Sequence, residues 1–297
     1  MGTPAFAVPS LEQLVASGHR VSAVFTQPDR PKGRGQKDAM PPVKEAALWL
    51  GLPVFQPERV REPEVVEQLR AMQPEAMVVV GYGQLIPQAI LDIAPIVNVH
   101  ASLLPKYRGA APIQWAIARG ETRTGVTTMR INAGLDTGDM LLKWETAIEP
   151  TETSVELGAR LATAGAQLLM ETLARFDVIA PQPQDHAQAT WAPVIKKEDG
   201  RIDWSLGAQE IINRMRGFNP WPGCYGFLRG QRFHIWKASP SDLAITPGAL
   251  RLEGKKLFAG CGHGSLELLE VQLEGRKRME TSAFLNGLSL ESSEGLQ

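Results

Sequence analysis

Cysteine is almost absent from this chain: 297 residues hold two, Cys224 and Cys261, far apart and without C-x-x-C spacing. That excludes a disulfide framework and a thiolate metal site, and it is the usage expected in a reducing compartment. Histidine is nearly as scarce, with five scattered residues and no pair at ligand spacing, so no metal is expected. An excess of one charge is missing too. Lys and Arg number 31 against 32 Asp and Glu, a formal net charge of −1. Any contact with nucleic acid must then come from local basic clusters rather than from an overall field. No apolar run approaches the roughly 20 residues of a membrane span, and no signal-peptide pattern opens the chain. Phosphate loops are lacking as well: Gly81-Tyr-Gly83 is a lone G-x-G, and Gly33-Arg-Gly-Gln-Lys37 fails P-loop spacing. A soluble cytoplasmic protein without a membrane partner is expected.

What is present is alternation. Helical patterns near 42–50, 63–72, 87–92 and 112–119 interleave with strand runs at Val21–Phe25, Pro53–Phe55, Ala76–Val80 and Ile96–His100. Such alternation predicts βαβ units and a mostly parallel sheet, with ligands beyond the strands' C-terminal ends. Thr153-Ser-Val-Glu156 reads as a capping box opening a helix to about Arg175. The stretch from Asp177 to Lys197, with Pro181-Gln-Pro183, is the linker candidate. Beyond it, strand runs at Tyr225–Leu228, Phe233–Lys237, Gly248–Leu252, Lys256–Ala259 and Leu266–Val271 recur at short spacing, as in a small barrel. The length suits two domains.

The chemistry concentrates in Ile96-Val-Asn-Val-His100. On a strand, Asn98 and His100 share one face and Val97 and Val99 the other. A turn-forming stretch to Gly109 follows, and 36 residues beyond His100 stands Asp136, in the glycine-bracketed Gly134-Leu-Asp-Thr-Gly-Asp139. A lone strand histidine is usually a structural one. An amide donor, an imidazole and a carboxylate together can also stabilise an oxyanion and manage a proton without a serine or cysteine nucleophile.

Asn98-Val-His100-Ala-Ser-Leu-Leu-Pro105, Arg108-Gly-Ala-Ala-Pro-Ile113, Thr124-Gly-Val-Thr127 and Leu135-Asp-Thr-Gly-Asp-Met140 resemble the signature of the folate-dependent formyltransferases, most closely the branch that formylates methionyl-tRNA. The resemblance runs from Gly2-Thr-Pro4 to Arg276-Lys-Arg278. It implies an α/β protein: a Rossmann-like formyltransferase domain over 1–179, a linker over 180–198, and an OB-like barrel over 199–297 that binds tRNA, Arg276-Lys-Arg278 helping to hold its backbone. It implies 10-formyltetrahydrofolate as co-substrate and methionyl initiator tRNA as acceptor, with Asn98, His100 and Asp136 catalytic and direct transfer without an acyl-enzyme. Ser102, Leu103, Leu104 and Pro105 match the folate-binding turn, although Leu-Leu-Pro is an ordinary buried turn in most proteins. Arg30, Lys32, Arg34 and Lys37 fall in the loop that meets the acceptor stem, where a solvated surface loop is the plain alternative. Phe6 matches a residue of the aminoacyl pocket, with core packing as its alternative. A monomer is expected. Two other readings stay open: formylation of a small amine, glycinamide ribonucleotide or an aminosugar nucleotide, and hydrolysis of the formyl-folate.

Two expectations concern local structure. Family members carry an apolar strand just before Gly-Thr-Pro, whereas this sequence opens there, so a shortened chain or a misassigned start and a sheet lacking that strand are expected. The 27–37 loop has no apolar anchor between Phe25 and Met40 and is expected to be poorly packed without RNA.

Overall fold

The structure is a computed structural model describing residues 1–32, 37–287 and 294–297, with the side chains of residues 32, 37 and 38 outside the description. The chain divides into two compact units, one of residues 1–112, 123–147 and 157–193, the other of 113–122, 148–156 and 194–297.

In the first unit, α1 (Val8–Ala16), α2 (Pro42–Trp49) and α3 (Pro63–Ala71) each begin with a proline in the first turn, where its fixed φ fits and its missing N–H is not needed. Between α1 and α2 lie β1 (Val24–Phe25), β2 (Arg30–Lys32) and β3 (Lys37–Ala39), and beyond α2 lie β4 (Val54–Phe55), β5 (Met77–Val79), α4 (Gln88–Leu91), β6 (Ile96–His100) and β7 (Arg108–Gly109). β1 pairs with β4 in parallel, β5 with β6 in parallel. Met1 and Gly2 run between these pairs: Gly2 N–H donates to the Phe25 carbonyl (3.0 Å), Val80 N–H to that of Met1 (2.9 Å), and Gly2 bridges Val80 in parallel. Residues 5–16 are helical. A cavity of about 700 Å³ opens beside Met1, lined by Val21–Phe25 and Ala76–Val78 among others.

After α5 (Pro112–Ala118) come β8 (Arg123–Arg130) and β9 (Met140–Ala147), joined as a hairpin and therefore antiparallel. β8 pairs antiparallel with β6. Helix–strand alternation predicts a mostly parallel sheet; the sheet is parallel only as far as β6 and antiparallel beyond it. For β8 and β9 the cause is the short glycine-rich 131–139 connection, which cannot carry a crossover back to the strand's start. α6 (Ser154–Ala174) packs on one face through Gly165, where a Cβ would lie 3.0 Å from Val99 Cγ1 and 3.3 Å from Val126 Cγ1. The segment after α6 follows the first unit: Gln182 exchanges backbone hydrogen bonds with Met140 (2.8 Å each), and β10 (Trp191–Ala192) pairs in parallel with β7.

The second unit carries α7 (Ala208–Gly217) and an antiparallel sheet of β11 (Cys224–Leu228), β12 (Gln231–Ser241), β13 (Leu250–Glu253), β14 (Lys256–Gly260), β15 (Ser265–Leu273) and β16 (Met279–Glu280), followed by α8 (Thr281–Leu285). The order is β11-β12-β15-β14-β13, with β16 also on β15. Residues 294–297 reach both outer strands: Gln297 and Phe227 exchange backbone hydrogen bonds (2.9 and 3.0 Å), and Leu250 N–H donates to Glu294 (3.0 Å).

Of the 27–37 loop, residues 33–36, on which the expectation of poor packing partly rests, lie outside the described residues; its base is tied down. β2 and β3 form an antiparallel stem, with Arg30 opposite Ala39 and Lys32 opposite Lys37. Polar ties replace the missing apolar anchor: Asp29 accepts from Lys44 (2.6 Å) and Gln56 (2.7 Å), and Arg30 pairs with Glu58 (2.8 Å).

Candidate active site

β6 is buried along its whole length, so each of its faces must be satisfied. Val97 and Val99 turn toward α6, as does the neighbouring Thr128, whose hydroxyl bonds that of Thr172 on α6 at 2.8 Å. Asn98 and His100 therefore face the opposite way, beside Met129 and Thr127 of β8. They are 8% and 6% exposed.

His100 is oriented by the turn that follows it. Its Nε2 lies 2.9 Å from the carbonyl oxygen of Tyr107. A carbonyl can only accept, so Nε2 carries a hydrogen and Nδ1 is the nitrogen left for chemistry. Tyr107 holds a left-handed backbone (φ +61°), and its N–H donates to Thr190 Oγ1 at 2.9 Å. Nδ1 faces Asp136, whose Oδ2 is 3.8 Å away.

Asp136 is also left-handed (φ +51°), and its Oδ2 accepts from Gly109 N–H at 2.8 Å. Its loop explains the flanking glycines. A Cβ on Gly134 would stand 2.1 Å from Thr137 Oγ1, and one on Gly138 1.8 Å from the Arg130 carbonyl. Asn132 Oδ1 closes the loop by accepting from Gly134 N–H (3.0 Å) and Thr137 Oγ1 (2.8 Å). Asn98 differs from its neighbours: among the described residues its carboxamide makes no hydrogen bond. A buried amide left with its donors free suits an incoming oxygen.

The 102–105 turn hangs on β8 and β9. Thr127 Oγ1 donates to the Ser102 carbonyl (2.7 Å) and accepts from Leu104 N–H (3.2 Å). Ser102 Oγ donates to the Lys106 carbonyl (2.6 Å), and Lys143 Nζ to that of Leu104 (2.6 Å). Burial pulls the Lys143 ammonium below its ordinary range. Leu104 is buried against Met129 and Met140, while Leu103 is half-buried, near Gly125. Pro105 ends the turn, half-buried.

The structure thus brings Asn98, His100 and Asp136 to one face and seats the 102–105 turn through neighbouring strands. Arg30 lies exposed on the β2–β3 stem, and Lys44, followed by Gln56, holds the Asp29 carboxyl at the stem's base below the usual range. Arg34 lies outside the described residues, as do the side chains of Lys32 and Lys37. Phe6 is half-buried on the 3₁₀ turn Ala5–Ala7. None of Asn98, His100 or Asp136 lines the 700 Å³ cavity. Sequence reasoning missed Tyr107, Thr127, Lys143 and Gln184, of which only Thr127 lies inside a recognisable motif.

Two family models match: formyl transferase over residues 1–173, and the formyl transferase C-terminal domain over 194–289. Similar relatives include the methionyl-tRNA formyltransferase of Solibacter usitatus, 61% identical over 100% of this chain and 97% of that one. Another, from Koribacter versatilis, is 58% identical over 99% and 96%. Among solved structures, an N-formyltransferase from Helicobacter canadensis with folinic acid and dTDP-3-aminofucose superposes with a TM-score of 0.66, at 18% identity over 90% of this chain and 96% of that one.

Proposed function

The chain belongs to the formyl transferase family, and from that premise we propose that it moves the formyl group of 10-formyltetrahydrofolate to the amino group of methionyl initiator tRNA. The carrying observation is the 61% identity to a methionyl-tRNA formyltransferase along the whole chain. Bound formyl-folate supplies the carbon that the neutral amine attacks; a C–N bond forms to the amine, the C–N bond to folate breaks, and one proton passes from amine to folate nitrogen.

The chain's own residues have three tasks. Asn98 points free amide donors at the oxygen on which charge develops, a contribution of roughly 3–4 kcal/mol for one donor of an oxyanion site. His100, with Nε2–H fixed on Tyr107, offers Nδ1 to take and return the proton. Asp136, 3.8 Å from that nitrogen and held by Gly109, balances the charge the ring acquires and serves the amine as base through a water. We assign Ser102, Leu103, Leu104 and Pro105 to the folate, Arg30, Lys32, Arg34 and Lys37 of the 27–37 stretch to the acceptor stem, and Phe6 to the methionyl side chain. The domain bounds we propose are 1–179 and 199–297 with 180–198 between. The antiparallel sheet of the second unit supports an OB-like barrel, since residues 294–297 hydrogen-bond to β11 and to the head of β13. We place the protein, as a monomer, in the cytoplasm where translation starts; among the described residues no helix is long and apolar enough to cross a membrane.

The test is transfer of labelled formyl from formyl-folate to an acid-stable ester of methionyl-tRNA. Label should reach methionyl-tRNA and not glycinamide ribonucleotide or an aminosugar nucleotide, and formate should not form without an acceptor. Transfer to a small amine, or release of formate alone, would overturn the reading.

A further inference from the structure

Gln184 is the most fully engaged side chain near the site, and it comes from the proline-rich stretch after α6. It is 6% exposed. Its Oε1 accepts twice from the buried Arg108, from Nε at 3.0 Å and Nη2 at 2.7 Å. Its Nε2 donates twice into the acidic loop, to the carbonyl of Asp136 at 2.9 Å and of Gly138 at 2.7 Å. These four bonds use the whole capacity of a primary amide. They also settle its orientation, since a flipped amide would set donors against a guanidinium and oxygen against two carbonyls.

The connections converge on Asp136 from two sides. Gln184 grips the Asp136 backbone, which stands in the left-handed region where non-glycine residues are held only by their surroundings. Through Arg108 it also holds the chain beside Gly109, whose N–H fixes the Asp136 carboxylate. Arg108 is itself steadied by His186 Nδ1 at 3.0 Å. No other common side chain could do the same: glutamate lacks the two donors, and methionine has the shape without either pair.

We propose that Gln184 is a positioning residue for Asp136, fixing the distance from its carboxylate to His100 Nδ1 during formyl transfer. The proposal rests on the assignment of Asp136 above. Without Gln184 the loop relaxes from its left-handed turn and the 3.8 Å separation is no longer held.

The experiment measures the single-turnover rate of methionyl-tRNA formylation and the steady-state KM for both substrates, with the full chain as Gln184→Met, Gln184→Glu, Asp136→Asn and the Gln184→Met/Asp136→Asn double variant, each checked for native circular dichroism. Gln184→Met should lower the rate roughly ten- to hundredfold, as small misplacements of a reacting group do, with KM for both substrates within about twofold of wild type. Gln184→Glu, which keeps the acceptors for Arg108 and loses the donors to the loop, should match it. Adding Gln184→Met to Asp136→Asn should cost nothing further, because the amide acts only through Asp136. An additive double variant, a loss confined to KM, or Gln184→Glu at the wild-type rate would each overturn the positioning role. A fully active Asp136→Asn would instead overturn the assignment of Asp136. If Gln184→Met does not fold, Gln184→Glu alone and in the Asp136→Asn background decides by the same criteria.

Discussion

A histidine whose Nε2–H is committed to the Tyr107 carbonyl has one nitrogen left, and that fact separates its structural role from its chemical one. Glutamine can place an amide N–H near where Nε2 stood and offers nothing at the Nδ1 position. His100→Gln should therefore keep the turn and the fold, with a thermal midpoint within a few degrees of wild type, and lower kcat by about 10²–10⁴-fold, the usual contribution of a positioned acid–base group. Thermal unfolding and steady-state formylation check the two halves separately; an active His100→Gln would make the histidine structural. At this scale the sequence was legible where chemistry follows a local rule. Asn98 and His100 stand two apart on a β-branched run, and Asp136 stands between glycines. Gln184 was not legible, because 48 residues separate it from Asp136 and its neighbours Pro183 and Asp185 read as a linker. Tyr107 escaped for a different reason: only its backbone matters, and no residue type advertises a carbonyl.

Elements were legible where their ends carry their own chemistry. Proline opens α1, α2 and α3, and Thr153 with Glu156 closes the N-terminus of α6 reciprocally. Glu156 Oε2 accepts from Thr153 N–H (2.8 Å) and Oγ1 (2.7 Å), while Glu156 N–H reaches Thr153 Oγ1 (3.4 Å). The Thr153 backbone bond first, then its hydroxyl, hold the Glu156 carboxyl below its ordinary 4.5. A carboxyl whose folded value is lowered stabilises above the unfolded value, and that share is lost as pH falls through the folded one. Glu156→Gln should accordingly have a lower thermal midpoint than wild type at pH 7, and the gap should close as pH falls below the ordinary glutamate range through the lowered folded value. A gap that persists at acid pH would mean the cap works through shape and not charge. β8 was harder to read. It is buried between two exposed arginines, Arg123 and Arg130, and a threonine-rich strand buried on both faces shows no alternation. The β2–β3 pairing was not legible because the ties at its base, Asp29 to Lys44 and Gln56, are polar side chains far along the chain, where an apolar anchor is what a sequence reveals.

At the scale of the whole chain, both cysteines lie in the unit that closes on residues 294–297, and the other unit has none. Burial raises the Cys224 thiol to about 12 and the Cys261 thiol to about 11. Neither is ionised at neutral pH, and the thiolate is the reactive form. Alkylation must then wait for that unit to open, so its rate reports the opening of one unit alone. Leu296 is the apolar anchor of the closing segment, 4% exposed, and its N–H donates to the Gly248 carbonyl at 2.7 Å. A buried Leu→Ala change is worth about 2–5 kcal/mol, and about 1.4 kcal/mol is a tenfold change in an opening equilibrium. Leu296→Ala should hence accelerate alkylation of both thiols at neutral pH by tenfold or more, measured by mass spectrometry on the folded chain. Wild-type labelling as fast as in denaturant would show the thiols to be accessible without opening. A Leu296→Ala rate equal to wild type would show that 294–297 lies on the sheet without holding it shut, and the strands β11 to β15 would then have to be stable with both outer edges unpaired, a condition that exposed sheet edges seldom meet.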